Sequence, residues 1–291
     1  MVKVSAPAKI NFTLDITGRL DNGYHTVDMI MQSVNLCDIV TVERNNTSIN
    51  LTCDKDFVPC NSSNTAYKAV QLFAEHCNIA CTVDIHIQKN IPAQAGLAGG
   101  STDGAAVLVA LNEIYQTNLT ADELAEIGAK IGADVPFCLY GGAMLATGIG
   151  TTLEKLEHNL PLENYYILLC KPYINVSTPL AYKKSDERPY SDNVHSKSAI
   201  KAMQCNDINA FCNSLYNDFD SLLMIDEVQH IKSVMKENGA LASVMSGSGP
   251  TVYGIYSSEF QAENTAEILK SEYSDVFVAK ACDNGCKIIQ K

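Results

Sequence analysis

The chain has 291 residues, 46% hydrophobic and 19% charged, which is typical of a folded globular protein with a sizeable core. This length predicts two domains. The net charge of −12 disfavours duplex nucleic acid and anionic membranes as partners, but it does not exclude a phosphorylated small molecule.

The 11 cysteines include no Cys-x-x-Cys pair, because three residues separate Cys77 from Cys81 and Cys282 from Cys286. Such spacing is weak evidence for zinc, so we expect no protein-held metal site and no redox role. The chain opens directly on a predicted strand rather than on a signal peptide. Reduced thiols without a signal peptide predict a cytoplasmic protein.

Two long runs lack charged residues, Val135–Leu153 and Asn238–Ser258. Each contains proline, several glycines and hydroxyl residues, so neither is expected to span a membrane. The first predicts a short helix, a glycine turn and a strand. The second predicts two strands around a glycine turn.

The first 55 residues predict strands and hairpins, because short apolar and β-branched runs alternate with turn residues. The predicted elements are strands at Val2–Val4, Ile10–Thr17, Asp28–Asn35 and Asp38–Val42, with a turn at Asp21–Gly23. An amphipathic helix follows at Asn64–His76, and Asn64 suits its N-cap.

A glycine-rich turn at Pro92–Ala106 joins an alternating strand, Thr82–Gln88, to a helix, Ala105–Tyr115. Such a turn lets backbone N–H groups approach an anion without Cβ obstruction, and the helix N-terminus adds unpaired donors. It lacks the lysine of a Walker A loop and the spacing of a dinucleotide loop. Taken alone, an ordinary turn explains this cluster equally well.

The second half mixes helices with strands. A capping box at Thr120–Glu123 opens a helix that Gly132 ends, and residues 183–198 predict a mobile polar loop. The other predicted elements are a strand at Tyr165–Lys171, helices at 197–205, 207–216 and 226–238, strands at Leu241–Ser246 and Thr251–Tyr256, and a final helix and strand. Helices segregated from largely antiparallel strands predict an α+β fold.

Four separated segments carry recognisable motifs: Ala6–Asn11 with Gly18–His25, the glycine turn, Gly132–Pro136, and Met245–Thr251. Together they resemble the GHMP kinase superfamily, from residue 2 to about residue 256. The Ala-Pro-Ala-Lys-Ile-Asn segment followed by Gly-Tyr-His narrows the resemblance to kinases of cytidine-diphosphate-linked methylerythritol in the non-mevalonate isoprenoid pathway.

The resemblance implies a two-domain GHMP kinase fold with ATP and acceptor in the cleft between the domains. A ribosomal-S5-domain-2-like, ATP-binding domain would span residues 1–157, and a ferredoxin-like domain would span residues 158–291. It also implies ATP and Mg²⁺ as cofactors and a small-molecule acceptor, with no nucleic acid or membrane partner. A monomer and a homodimer remain equally open.

For catalysis, the resemblance matches Asp134 to the base that deprotonates the accepting hydroxyl and Lys9 to the cation that stabilises the alkoxide. Without the flanking motifs, a solvated loop aspartate and a surface lysine would explain them.

For ATP, the resemblance implies a triphosphate held by backbone donors of the turn. The matching residues are Pro92, Ala93, Gln94, Ala95, Gly96, Leu97, Ala98, Gly99, Gly100, Ser101 and Thr102, with Asn64 near adenine. Ser101 is expected to cap the helix and, with Thr102, to offer a hydroxyl to phosphate or magnesium. Thr102 replaces a family serine. Gly104 replaces a family alanine, which weakens the first turn of the helix by about 1 kcal/mol relative to alanine. Ser246–Gly249 would support the turn across the cleft, or form a simple tight turn.

For the acceptor, the resemblance matches Tyr24 and Tyr182 to aromatics that stack on cytosine, and His25 to the residue that recognises the cytosine edge. Asn11 and Thr178 would contact its polar groups. The plainer alternatives are an exposed hairpin tip for Tyr24 and His25, and a surface aromatic for Tyr182.

The remaining histidines receive no role: His76, His86, His158, His195 and His230. Two rival functions stay open. One is a GHMP kinase of homoserine, mevalonate or a sugar, whose substrates carry no base to stack. The other is a nucleotide-binding regulator that has kept the fold without catalysis.

Overall fold

The computed structural model describes residues 1–190 and 194–291. Its strands are β1 Val2–Arg19, β2 His25–Arg44, β3 Ile49–Cys53, β4 Val83–Gln88, β5 Ala143–Thr147, β6 Thr152–Lys155, β7 Tyr166–Lys171, β8 Tyr216–Asn217, β9 Ala242–Met245, β10 Val252–Tyr256, β11 Asp275–Ala279 and β12 Lys287–Gln290. Its helices are α1 Thr65–Cys77, α2 Gly99–Tyr115, α3 Ala121–Ile131, α4 Val135–Tyr140, α5 Thr178–Ser185, α6 Ser196–Gln204, α7 Ile208–Ser214, α8 Asp218–Leu223, α9 Asp226–Glu237 and α10 Glu259–Lys270, with a 3-10 turn at Leu162–Asn164.

The first sheet has the strand order β12-β1-β2-β4-β3, with β5 and β6 continuing from β2, and β8 beside β1. Most neighbours are antiparallel, and the β1–β8 and β3–β4 pairs are parallel. Helix α2 packs on β1 and β2, and α1 packs on α2. Alternating apolar residues of β4 meet this layer, which gives the sheet one buried face.

The second sheet is antiparallel, in the order β11-β7-β10-β9. Helices α9 and α10 pack against it. The α+β class expected from the sequence is confirmed. The division at residues 157 and 158 stays a prediction, and strands β8 and β12 from the second half both pair with β1.

The predicted strand boundaries in the first 55 residues are wrong in one respect. The separate predicted strands merge into two long strands, β1 and β2, whose mutual register shifts at three places: Pro7/Ala8, Asn11/Thr13 and Ile16/Gly18. Each irregularity breaks the two-residue alternation, so one bent strand resembles several short ones.

The helix after the glycine turn begins at Gly99 rather than at Ala105, so two glycines belong to its first turn. The predicted mobile loop over residues 183–198 is also wrong at both ends, where Thr178–Ser185 and Ser196–Gln204 are helical. Its residues 191–193 lie outside the described part of the chain. No helix among the described residues is long and apolar enough to cross a membrane.

Candidate active site

The side chains of Lys9 and Asp134 lie close together. Lys9 Nζ, on β1, lies 3.9 Å from Asp134 Oδ2. The Lys9 side chain is 6% exposed and that of Asp134 is 31% exposed, so the carboxylate faces solvent from beside a buried cation. Asp134 precedes α4 but makes no capping hydrogen bond to it. Its oxygens are therefore free to accept a proton from a bound group.

Asn11 orients Lys9 from behind. Its Oδ1 accepts a 2.7 Å hydrogen bond from Lys9 Nζ, and its Nδ2 lies 3.2 Å from Met29 Sδ. The Asn11 side chain is fully buried, and the residue is absent from the lining of the cleft described below. The predicted contact between Asn11 and the acceptor stays a prediction.

The Lys9–Asp134 pair opens into a cleft of about 720 Å³. Parts of both halves of the chain form it. Its walls include Gln94, Gly96, Ala98 and Ser101 of the glycine turn, Ser177, Thr178 and Tyr182 around the start of α5, and Gly247–Gly249. Thr178 Oγ1 and Ser248 Oγ lie 2.7 Å apart, which joins two of these walls.

The glycine turn rests directly on the turn at Ser246–Gly249. Gly96 has φ +73°, and a Cβ there would lie 2.1 Å from the carbonyl oxygen of Ser246. Ser246 Oγ donates a 3.0 Å hydrogen bond to the Gly96 carbonyl. Gly96 is thus needed for the close approach of two backbones, and the expected support across the cleft is present.

Asn217 fixes the supporting turn and was missed from the sequence. Its buried Nδ2 donates to the carbonyls of Met245 at 2.6 Å and Gly247 at 2.8 Å. Its Oδ1 accepts from the Phe219 amide and so caps α8. No local pattern signals this role, because the carbonyls come from a distant turn.

A second cavity of about 430 Å³ continues from the other side of the glycine turn. Its lining includes Phe57, Val58, Pro59, Asn64, Pro92–Gly96 and Ala98–Ser101. Gly99, Gly100 and Ser101 are the first residues of α2, where backbone N–H groups have no intrahelical partner. One wall of this cavity therefore offers backbone N–H donors from the start of α2, and another wall is apolar.

Two details of the predicted nucleotide set are wrong. Thr102 is fully buried, and its Oγ1 lies 3.5 Å from Cys286 Sγ, because the fourth residue of α2 faces the core. Ser101 does not cap α2, whose N-cap is Ala98 in the left-handed conformation. The Leu97 side chain is buried, and a contact between its backbone and ATP stays a prediction.

Asn64 takes the capping role that the sequence allowed. Its Oδ1 accepts from the Ala66 amide at 2.9 Å, and its Nδ2 donates to the Pro59 carbonyl at 2.8 Å. Its amide group is thereby held at the edge of the second cavity. A contact to adenine stays a prediction.

A buried charged cluster contributes to the wall of this cavity and was not predicted. Lys89 Nζ donates to Asp38 and, at 2.6 Å, to Asp103 Oδ2. Asp103 Oδ1 is buried without a partner. Because burial outweighs the nearby lysine, the pKa of Asp103 is raised to about 8. The cluster holds two carboxyl groups beside one cation near the start of α2.

A third cavity, of about 690 Å³, adjoins the cleft at Ala133 and Tyr182. We call it the base cavity; its lining includes Arg19, Tyr24, His25, Ala133, Tyr182 and Asp186. Tyr24 is 62% exposed. The structure thus brings the predicted Tyr24, His25 and Tyr182 together beside the Lys9–Asp134 pair.

The rings of this cavity are packed differently from the predicted sandwich. The His25 ring stacks on Tyr182, with centroids 4.8 Å apart and an interplanar angle of 22°, while Phe219 meets Tyr182 edge-on. Burial, with Asp134 nearby, raises the pKa of Tyr182 to about 12, so its hydroxyl stays protonated. Stacking of a base on Tyr182 stays a prediction.

Asp186 anchors His25. From the sequence, Asp186 was expected in the polar loop over residues 183–198, and no role was predicted for it. Its Oδ1 lies 2.7 Å from His25 Nε2 and 2.7 Å from the Tyr190 hydroxyl, and its Oδ2 accepts from Arg19 at 3.0 Å. Hydrogen bonds from Tyr190 and His25 hold the pKa of Asp186 below its usual value.

His195, which received no role from the sequence, makes two specific contacts. Its Nδ1 lies 2.7 Å from buried Asp15, and its ring stacks on Tyr216 at 3.8 Å. It lines none of the three cavities. Among the described residues, no group of three or more His, Cys, Asp or Glu is arranged to hold a metal ion.

Comparisons with known proteins agree on one family. Residues 64–142 match the model of the GHMP kinases N terminal domain, and residues 198–275 match that of the GHMP kinases C terminal domain. The chain is 40% identical over 277 residues to a 4-diphosphocytidyl-2-C-methyl-D-erythritol kinase of Clostridium novyi, covering 94% of this chain and 98% of that protein.

Solved structures share this architecture and confirm the GHMP kinase fold expected from the sequence. A crystal structure of 4-(cytidine 5'-diphospho)-2C-methyl-D-erythritol kinase aligns with a TM-score of 0.78 and 28% identity, over 96% of this chain and 98% of the other. A homoserine kinase from Cytophaga hutchinsonii aligns with a TM-score of 0.80 and 20% identity, over 99% and 97%. At that identity, the second likeness concerns the fold alone.

Proposed function

The chain belongs to the 4-diphosphocytidyl-2-C-methyl-D-erythritol kinase family of GHMP kinases, and we propose that Lys9 and Asp134 carry its chemistry. The enzyme transfers a phosphoryl group from ATP to the 2-hydroxyl of 4-diphosphocytidyl-2-C-methyl-D-erythritol, a step in non-mevalonate isoprenoid synthesis. The observation that carries the proposed roles is the 3.9 Å Lys9–Asp134 pair, set between a glycine-rich helix start and the base cavity.

In the proposed reaction, Asp134 takes the proton of the 2-hydroxyl as that oxygen attacks the γ-phosphorus of ATP, and ADP leaves. An aspartate is a weak base in water, so the nearby Lys9 cation must stabilise the alkoxide as it forms. Lys9 suits this role because it is nearly buried and is held by Asn11 at 2.7 Å. A fixed, desolvated cation stabilises developing negative charge more strongly than a mobile surface lysine does.

We propose that the triphosphate lies against the start of α2, with Gly99, Gly100 and Ser101 donating backbone N–H bonds. Magnesium would arrive with ATP, because it prefers phosphate oxygens and one or two protein oxygens to a complete protein cage. Ser101 lines both the cleft and the second cavity and carries the hydroxyl that fits this role. Bound magnesium would neutralise the charge of the transferred phosphoryl group.

We propose that the cytidine diphosphate portion occupies the base cavity, with Tyr24 stacking on cytosine and His25 binding its edge. This cavity also favours the proposed acceptor over homoserine, mevalonate or a sugar, because none of those carries a base. The Lys9–Asp134 pair argues against a non-catalytic regulator.

The test is the substitution Tyr24→Leu, because stacking on one base is worth about 1–3 kcal/mol. We expect the KM for the cytidylated acceptor to rise about tenfold or more, while the KM for ATP changes less than twofold. Tyr182→Phe is the matched control, since it keeps the ring and should leave both constants within about threefold. Equal changes in the two KM values of Tyr24→Leu would contradict the assignment of the base cavity.

The remaining proposals concern the setting of the enzyme. All eleven cysteines are free thiols, which favours a reducing compartment such as the cytoplasm. We propose a monomer or a homodimer, with no nucleic acid or membrane partner. The net charge of −12 supports this exclusion.

A further inference from the structure

The two ring nitrogens of His25 have different surroundings. Nε2 lies 2.7 Å from Asp186 Oδ1, whereas Nδ1 makes no hydrogen bond to the described residues. The His25 side chain is only 8% exposed, and the residue lines the base cavity. Nδ1 is therefore the polar atom of this ring that remains for a ligand.

The state of Asp186 determines the character of Nδ1. Asp186 accepts from Tyr190 at 2.7 Å and from Arg19 at 3.0 Å, as expected for an ionised carboxylate. An ionised carboxylate only accepts hydrogen bonds, so the proton between it and His25 sits on Nε2. In a neutral imidazole, a proton on Nε2 leaves Nδ1 as a pure acceptor.

We propose that Asp186 is the residue that selects cytosine over uracil, by fixing His25 in the tautomer whose Nδ1 accepts a hydrogen bond from the base. Cytosine presents an exocyclic amine, which donates, where uracil presents a carbonyl, which accepts. An acceptor nitrogen binds the first and repels the second. Asp186 is thus a positioning residue that acts through His25, and this inference rests on the proposed binding of cytidine diphosphate.

The packing of His25 supports this role. Its stacking on Tyr182 and its near-edge contact with Tyr190, at 6.4 Å and 68°, restrict rotation of the ring. A ring held by two aromatic neighbours and a carboxylate presents the same nitrogen to every ligand. Selection by a buried polar group is effective because the wrong partner leaves it unpaired.

The substitution Asp186→Asn tests the inference. An asparagine presents either a carbonyl or an amine to Nε2, so it no longer fixes the tautomer. We measure the dissociation constants of CDP and UDP by calorimetry, and the KM for ATP. The wild type should prefer CDP, and the variant should lose about tenfold or more of that preference, with an unchanged KM for ATP.

Tyr190→Phe is the matched control, because it removes another hydrogen bond to Asp186 but keeps the His25–Asp186 contact. Its preference for CDP should equal that of the wild type. A second measurement is independent of any Asp186 variant: nitrogen-15 NMR of wild-type histidines, with the His25 signal assigned by His25→Gln, should show a proton on Nε2 and none on Nδ1.

Two results would overturn the inference. One is an Asp186→Asn variant that keeps the full wild-type preference, and the other is a His25 signal with the proton on Nδ1 or on both nitrogens. Failure of the proposed function would look different, since the wild type itself would then bind neither CDP nor the cytidylated acceptor.

Discussion

Replacing Asp134 with asparagine removes the proposed base while leaving the fold intact. The Asp134 side chain makes no hydrogen bond to the start of α4, so no cap is lost. Its interaction with Lys9 spans 3.9 Å at a 31% exposed carboxylate, and such a pair stabilises a fold by no more than about 1 kcal/mol. The expected fall in Tm is therefore only about 2–4 °C.

The effect on turnover should be far larger. A positioned general base contributes about 10²- to 10⁴-fold, or about 3–5 kcal/mol of transition-state stabilisation. We expect kcat of Asp134→Asn to fall by that factor, measured as ADP release in a coupled assay, with thermal denaturation recorded on the same preparation.

Asp207→Ala is the opposite control. Asp207 caps α7 by accepting from the Ala210 amide at 3.0 Å and lies outside the three cavities. Losing that cap should cost about 1 kcal/mol of stability and leave kcat unchanged. An Asp134→Asn variant that keeps more than a tenth of wild-type kcat with a normal Tm would contradict the role of Asp134 as the base.

Gly96→Ala should destabilise the fold by about 2 kcal/mol or more and lower turnover, because its Cβ would lie 2.1 Å from the Ser246 carbonyl. Gly104→Ala should raise stability by about 1 kcal/mol in thermal denaturation, since its Cβ would meet Thr65 no closer than 3.4 Å. Asn217→Ala should cost about 1–3 kcal/mol and raise the KM for ATP, because two carbonyls lose their donor. The pKa of Asp103 is raised to about 8. The stabilisation of the fold by protonated Asp103 should therefore be complete below about pH 4 and be lost as pH rises through 8. The variant Asp103→Asn should not show this loss.

Each of these four has a result that would contradict it. Normal stability of Gly96→Ala would mean that the two turns can separate freely. A destabilised Gly104→Ala would mean that Thr65 leaves no room for a methyl group. An unchanged KM for ATP in Asn217→Ala would separate the supporting turn from nucleotide binding. For Asp103, the Tm advantage of Asp103→Asn over the wild type should grow from pH 6 to pH 9; a constant difference would contradict a buried proton.

Local signals in the sequence predict local structure well. The capping box at Thr120–Glu123 is present with both of its reciprocal hydrogen bonds, and Gly132 ends that helix as expected. The short helix, glycine turn and strand within Val135–Leu153 are also confirmed. In each case, the residues that specify the element lie within a few positions of one another.

Features that depend on distant partners were missed. Helix α5 buries only Ala181 and Ser185, so its polar sequence lacks a clear apolar face. The Lys89 cluster and the Asp186–His25 contact join residues from separate elements, and no periodicity marks such pairs. Family motifs predicted Lys9 and Asp134, but only the fold shows that they meet.

The proposed function is tested most directly by measuring ADP release from the wild-type enzyme with magnesium and ATP. The acceptors are 4-diphosphocytidyl-2-C-methyl-D-erythritol, homoserine and mevalonate, assayed side by side. ADP should appear only with the cytidylated acceptor. ADP with homoserine or mevalonate instead, or no ADP from a protein that still binds ATP, would contradict the proposed function.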